Sequence, residues 1–82
     1  VTRYVIAERR MVQRPHIDGG GLSQETWVPA PVYGQHETRT QAKAHYMRRL
    51  DPGLRRVVDD AFCARHFDQR ARNIGDVKVV KA

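Results

Sequence analysis

Arginine carries most of the chemistry this sequence offers. Arg48, Arg49, Arg55 and Arg56 fall within nine positions, on either side of an Asp51-Pro52 step. A guanidinium is planar, permanently charged and able to meet phosphate oxygens with two parallel N–H donors. Such a cluster suits contact with a phosphate backbone, which fixes position without reading sequence. His45 and Lys43 lie near enough to extend the patch, and Arg39 joins them if its face is open. Trp27 and Tyr33 are the candidates for stacking on bases, or for anchoring a protein partner.

The same charges have a plainer use. Arg55 and Asp59, Arg56 and Asp60, and Asp68 and Arg72 are each four residues apart. On a continuous helix these pairs would solvate an exposed face and contribute a few tenths of a kcal/mol each. Arg48 and Arg49 have no acid at that spacing, so they are expected to be the least neutralised pair. They also suit the negative end of the helix that closes there.

Other constellations point to no reaction. Cys63 and His66 are three apart and, with His45 or His36, have the residue types of a zinc site, but no second ligand pair accompanies them. His16 and Asp18 read as a polar turn. Gly19, Gly20 and Gly21 lack the Lys-Ser/Thr and the following helix of a phosphate loop. Asp59 and Asp60 are adjacent and point to different parts of a helix surface, so they do not make an acid–base pair. No catalytic residue, metal site or cofactor is expected, and at 82 residues a binding surface is easier to build than a deep catalytic cleft.

These residues need elements to hold them. Arg3 to Val12 begins rich in aromatic and β-branched residues, turns polar at Glu8, Arg9 and Arg10, and is stopped by Pro15, which predicts a strand. Gln24 to Ala30 predicts a second strand. Pro29 and Pro31 cannot donate to a ladder, so this strand belongs at a sheet edge. Together the two make a hairpin with a long, Gly-rich loop.

Thr38 and Gln41 have the spacing of a capping box and predict a helix from about Arg39 to Leu50. Ala42, Tyr46 and Leu50 recur on one face, with Met47 beside them. Asp51 and Pro52 are a favoured N-cap and first-turn pair, and predict a second helix from Pro52 to about Asp68 or Arg72. Leu54, Val57, Val58, Ala61, Phe62 and Arg65 then form its buried stripe. Asn73 to Gly75 breaks that helix. Asp76 to Lys81 alternates as a last strand, with Val77 and Val79 on one face and Lys78 and Val80 on the other.

The expected fold is therefore α+β, in the order ββααβ, with an antiparallel-type sheet packed against two helices. It is read as a single domain: a strand hairpin over residues 1–36, two helices over 37–72 and a final strand over 73–82. Tyr46, Leu50, Leu54, Phe62 and Trp27 are expected to dominate its core. An all-helical arrangement with frayed ends is the structural alternative.

Composition bounds the function. Fifteen Lys and Arg stand against nine Asp and Glu, for a formal charge of +6. Residues 1–36 contribute only +1, and the helical half contributes the rest. The lone Cys63 excludes a disulfide framework within the chain and fits a reducing compartment, so a cytoplasmic setting without a membrane partner is expected. Paired-Cys zinc spacing, RNP-like aromatic runs and GXXG clamps are absent, and the tight Asp51-Pro52 corner is too short for a helix-turn-helix.

Two functions follow as expectations. The first is a small binding module that contacts nucleic acid, or another polyanion, through Arg48, Arg49, Arg55, Arg56, His45 and Lys43. The second is a protein–protein adaptor or inhibitor, of the kind phages and mobile elements encode, acting on a nucleic-acid-handling complex. There the edge segment Glu25–Tyr33 would offer backbone groups, and Trp27 or Tyr33 an anchor. A homodimer through that edge is a variant of the second.

Overall fold

The computed structural model describes residues 2–15 and 21–82. Strand β1 runs from Tyr4 to Pro15 and β2 from Gly21 to Pro29. Helix α1 runs from Arg39 to Leu50, α2 from Asp60 to Asn73, and β3 from Val77 to Lys81. The sheet is antiparallel in the order β2-β1-β3, and the two helices pack on it, so the α+β class and the ββααβ order hold. Among the described residues, no helix is long and apolar enough to cross a membrane.

β1 is the central strand because it is apolar on both faces where it starts. Ile6 is fully buried and faces Val79 across the ladder; Tyr4 packs against the same core. β2 starts at Gly21, three residues before the expected point, and lies at the edge as its prolines require. His16 and Asp18 lie outside the described residues, as do Gly19 and Gly20. After Pro29 the chain leaves the ladder through a 3-10 turn at Pro31–Tyr33 and returns to β1 where Tyr4 and His36 exchange backbone hydrogen bonds of 2.8 and 2.9 Å.

α1 begins where the capping pattern places it. The Thr38 hydroxyl accepts from the Gln41 N–H at 3.1 Å. The Gln41 side chain accepts from the Glu37 N–H at 3.2 Å, one residue earlier than in the standard reciprocal pair. The helix lies against both the sheet and α2, so it buries Ala42, Ala44, Tyr46 and Met47 rather than one narrow stripe.

The second helix departs from expectation. Asp51 and Pro52 open only a 3-10 turn, Pro52–Leu54, with the Asp51 carboxylate accepting from the Gly53 N–H at 2.8 Å. α2 starts afresh at Asp60, where the Asp59 side chain accepts from the Ala61 and Phe62 N–H groups. The cause is tertiary as well as local. Val57 and Val58 are β-branched and weak helix formers. Arg48 Nε donates to the Val57 carbonyl at 2.8 Å, which occupies an oxygen that a continuous helix would use.

This restart changes which residues are buried. Of the expected stripe only Leu54 is fully in the core, with Val57 half-buried; Val58 is 93% exposed and Phe62 39%. α2 instead buries Cys63, Ala64 and Phe67, followed by half-buried Ala71. Leu50 and Trp27, at 43% and 37% exposure, are not core residues either. The core is Ile6, Tyr46, Met47, Leu54, Phe67 and Val77 around the small side chains of Ala42, Ala44 and Cys63, which let the helices approach closely. Phe67 meets Tyr46 edge to face at 5.4 Å, a favoured aromatic geometry.

α2 ends as expected near Asn73–Gly75. The Ile74 N–H donates to the Arg70 carbonyl, and Gly75 turns the chain at φ +72°, where a Cβ would be strained. β3 follows with Val77 and Val79 toward the helices and Lys78 beside Trp27 on the other face.

Candidate polyanion-binding corner

On α1, Gln41, His45 and Arg49 recur every four residues and form an exposed stripe. The stripe ends at the corner, where the 3-10 turn brings the chain back beside the helix end. The result is a depression of about 330 Å³ lined by His45, Arg48, Arg49 and Arg55. Among the described residues, no carboxylate lines it. Four of the residues singled out from the sequence are thus brought together around one surface feature.

The other two are elsewhere. Lys43 is half-buried, pairs with Asp68 of α2 at 2.7 Å and sits over the Phe67 ring at 5.8 Å. Arg56 is exposed but does not line the depression.

The pairing of charges is the reverse of what four-residue spacing suggests. Residues 55–59 are not helical, so the Arg55–Asp59 and Arg56–Asp60 pairs do not form. Asp59 caps α2, and Asp60 takes Arg48 at 2.7 Å. Arg48, expected to be free, is therefore a clasp that ties the end of α1 to the start of α2. Asp68 is likewise taken by Lys43 rather than Arg72. Among the described residues, Arg49 and Arg55 have no ion-pair partner, and both are exposed. They are the open donors of the corner, while the Arg48 guanidinium is taken up by Asp60.

His45 sits at the start of this arrangement, in surroundings that disfavour its protonated form. Burial, then the neighbouring His36 ring and the Arg49 and Arg48 guanidinium groups, hold its pKa below the ordinary imidazole value. The two imidazoles are 5.0 Å apart between centroids. His36 is oriented by its Nε2–H, which donates to the Tyr33 carbonyl at 2.6 Å. Next to the corner is a larger groove of about 510 Å³ shared by His36, His45 and Arg48, but Glu37 and Asp60 also line it, so its charge is mixed.

The aromatic candidates are separated. Tyr33 is half-buried on the helix side of the sheet, with its ring 4.8 Å from Tyr46. Trp27 lies on the opposite sheet face, with the Lys78 ammonium 4.3 Å from its ring centroid. Cys63 is fully buried and reduced, while His66 is exposed and packs near Phe62, so they do not form a site. Among the described residues, no group of three or more side chains could hold a metal ion.

One relation was invisible in the sequence. Burial and the Glu8 carboxylate push the Tyr33 hydroxyl above the ordinary tyrosine range, against a downward pull from Arg49, Arg70 and Arg10. Arg49 of α1 and Arg10 of β1 thus act on one hydroxyl although 39 positions separate them. No local pattern could have signalled this. Comparison of the chain with protein-family models, with curated proteins and with solved structures gives no match.

Proposed function

We propose that this chain is a small binding module that holds the phosphates of a nucleic acid, or another polyanion, at the α1 corner. The observation that supports this most is the depression lined by His45, Arg48, Arg49 and Arg55 and, among the described residues, by no carboxylate. Arg49 and Arg55 would donate charge-assisted hydrogen bonds to phosphate oxygens, and no bond is made or broken. Arg48 would hold the corner together rather than offer a free fork, because its guanidinium is already held by Asp60 and the Val57 carbonyl.

The test is fluorescence anisotropy with a mixed-sequence duplex and with inorganic polyphosphate across a salt series. Each neutralised phosphate contributes about −0.9 to the log–log salt slope on duplex DNA, so the Arg49→Ala, Arg55→Ala double variant should flatten it by about 1.8. Absence of binding to either probe at low salt would overturn the reading.

A second reading is favoured by one observation. β2 is an edge strand whose neighbour, among the described residues, is β1 alone, so its outer backbone groups could take strand addition by a protein partner. Trp27 would be the anchor. A partner captured on this edge would stay bound at moderate salt, and Trp27→Ser would release it.

A further inference from the structure

β1 is much longer than the sheet needs. β3 pairs with it only from Tyr4 to Glu8, whereas β2 pairs with it from Ala7 to Pro15. Beyond Glu8 the sheet is a two-stranded ribbon, Arg9–Pro15 against Gly21–Trp27. At about 3.4 Å per residue it is about 24 Å long. It gives the molecule its shape: the extents are 53 × 30 × 19 Å. The radius of gyration is 15.2 Å, where a compact chain of this length would have about 12 Å.

Folding does not account for that length. The helices pack on β1 and β3, and β2 packs chiefly on β1. A two-stranded ribbon in water is marginal by itself. Its composition is basic: by sequence it carries Arg9, Arg10 and Arg14 against Glu25. In the pairs Arg9–Glu25 at 3.9 Å and Arg10–Glu8 at 3.2 Å the arginine side chains are 41% and 63% exposed, so solvent screens both and a phosphate can displace the carboxylate at little cost. The ribbon continues the helix side of the sheet, since Arg10 lies on the same face of β1 as Ile6, which is buried against α1.

We propose that the partner of the corner is double-helical DNA, with the β1–β2 ribbon entering the major groove while Arg49 and Arg55 hold adjacent phosphates. The proposal rests on the polyanion reading above and narrows it to one ligand class. A two-stranded ribbon fits the roughly 12 Å major groove of B-form DNA, and the roughly 6 Å minor groove is too narrow for it without distortion. Double-stranded RNA presents a deep, narrow major groove that excludes such a ribbon. Single strands and polyphosphate offer the corner its phosphates but no groove.

The test compares a 25-base-pair DNA duplex, one of its single strands, the matching RNA duplex and inorganic polyphosphate as probes. A shortened variant replaces residues 12–24 by Asn-Gly, so that Met11 and Glu25, already opposite one another, are joined by a two-residue turn. The intact chain should favour the DNA duplex over the other two nucleic acids by about tenfold or more, and protect guanine N7 from methylation in the major groove. The shortened variant should lose that preference and protection while still binding polyphosphate. If shortening disturbs the fold, Arg10→Ser decides instead, with an expected loss of about one unit of salt slope on the duplex.

Equal affinity of intact and shortened chains for the duplex would overturn the ribbon's role. Polyphosphate binding that depends on Arg49 and Arg55, without duplex preference, would overturn it too and leave the corner standing. Failure of every probe to bind would remove the corner reading and the ribbon with it.

Discussion

Replacing Arg48 by Met removes the clasp at the corner while keeping most of the aliphatic stem. Two interactions go: the Nε bond to the Val57 carbonyl at 2.8 Å and the ion pair to Asp60 at 2.7 Å. A hydrogen bond to a charged group is worth about 1.5–3 kcal/mol when well shielded. The side chains are 27% and 42% exposed, so solvent screens the ion pair and brings it toward the surface value of about 1 kcal/mol or less. The Val57 carbonyl is the costlier loss, because no helical N–H replaces Arg48 there. The sum is about 2 kcal/mol, and in a domain of this size it should lower Tm by about 8–16 °C. Asp60→Asn keeps the Val57 bond and should cost about half as much. Urea and thermal unfolding of Arg48→Met, Asp60→Asn and the double variant measure the coupling directly. At a temperature where it stays folded, Arg48→Met should weaken polyanion binding less than Arg49→Ala. A melting point within 2 °C of the parent, with binding abolished, would refute the assignment and make Arg48 a primary phosphate ligand.

Phe67→Ala should cost about 3–5 kcal/mol, because Phe67 is fully buried against Tyr46; loss of a cooperative unfolding transition, or a large fall in urea midpoint, checks this. Asp59→Ala should remove the cap of α2 at a cost of about 1 kcal/mol, read as a lower urea midpoint with an unchanged m-value. For His45 the folded pKa lies below the unfolded value of 6.5, so the unfolded chain binds the proton first on acidification. Stability associated with neutral His45 is therefore fully present above pH 6.5 and is lost as pH falls through the lowered pKa; His45→Gln should flatten that part of the stability–pH curve. A bound polyanion should raise the His45 pKa, followed by NMR titration of the ring with and without polyphosphate.

The parts of the fold that could be read from the chain were those decided locally. Thr38 and Gln41 placed the start of α1, Pro29 put β2 at an edge, and the alternation of Val77 and Val79 placed β3. α2 was misread because two Asp caps compete within nine positions, and local rules credit both. A side chain from another helix, Arg48, decides between them. The charge pattern failed for the same reason. Spacing of four pairs Arg55 with Asp59 only if the helix is continuous, and once it is interrupted the acids serve other groups. Size alone does not select the core either: Leu50, Phe62 and Trp27 stay partly exposed, and Ile6, Met47, Phe67 and Val77 join Tyr46 and Leu54 around Ala42, Ala44 and Cys63. The corner is partly legible, since His45, Arg48, Arg49 and Arg55 do meet, while the ribbon extends past Val12 and before Gln24, into what the sequence reads as a long Gly-rich loop.

The pairing of Tyr4 with Lys81 has a kinetic meaning. The β1–β2 hairpin and α1 depend on neighbours in sequence, but the third strand must close a loop of 77 residues onto β1. The entropic cost of such closure is about 4 kcal/mol on a simple chain model, before any contact repays it. β3 is therefore expected to dock late, after the hairpin and helices have assembled. Until then one edge of β1 is open along Tyr4 to Glu8, and during that interval this short apolar stretch is where a nascent chain is most exposed to pairing with another.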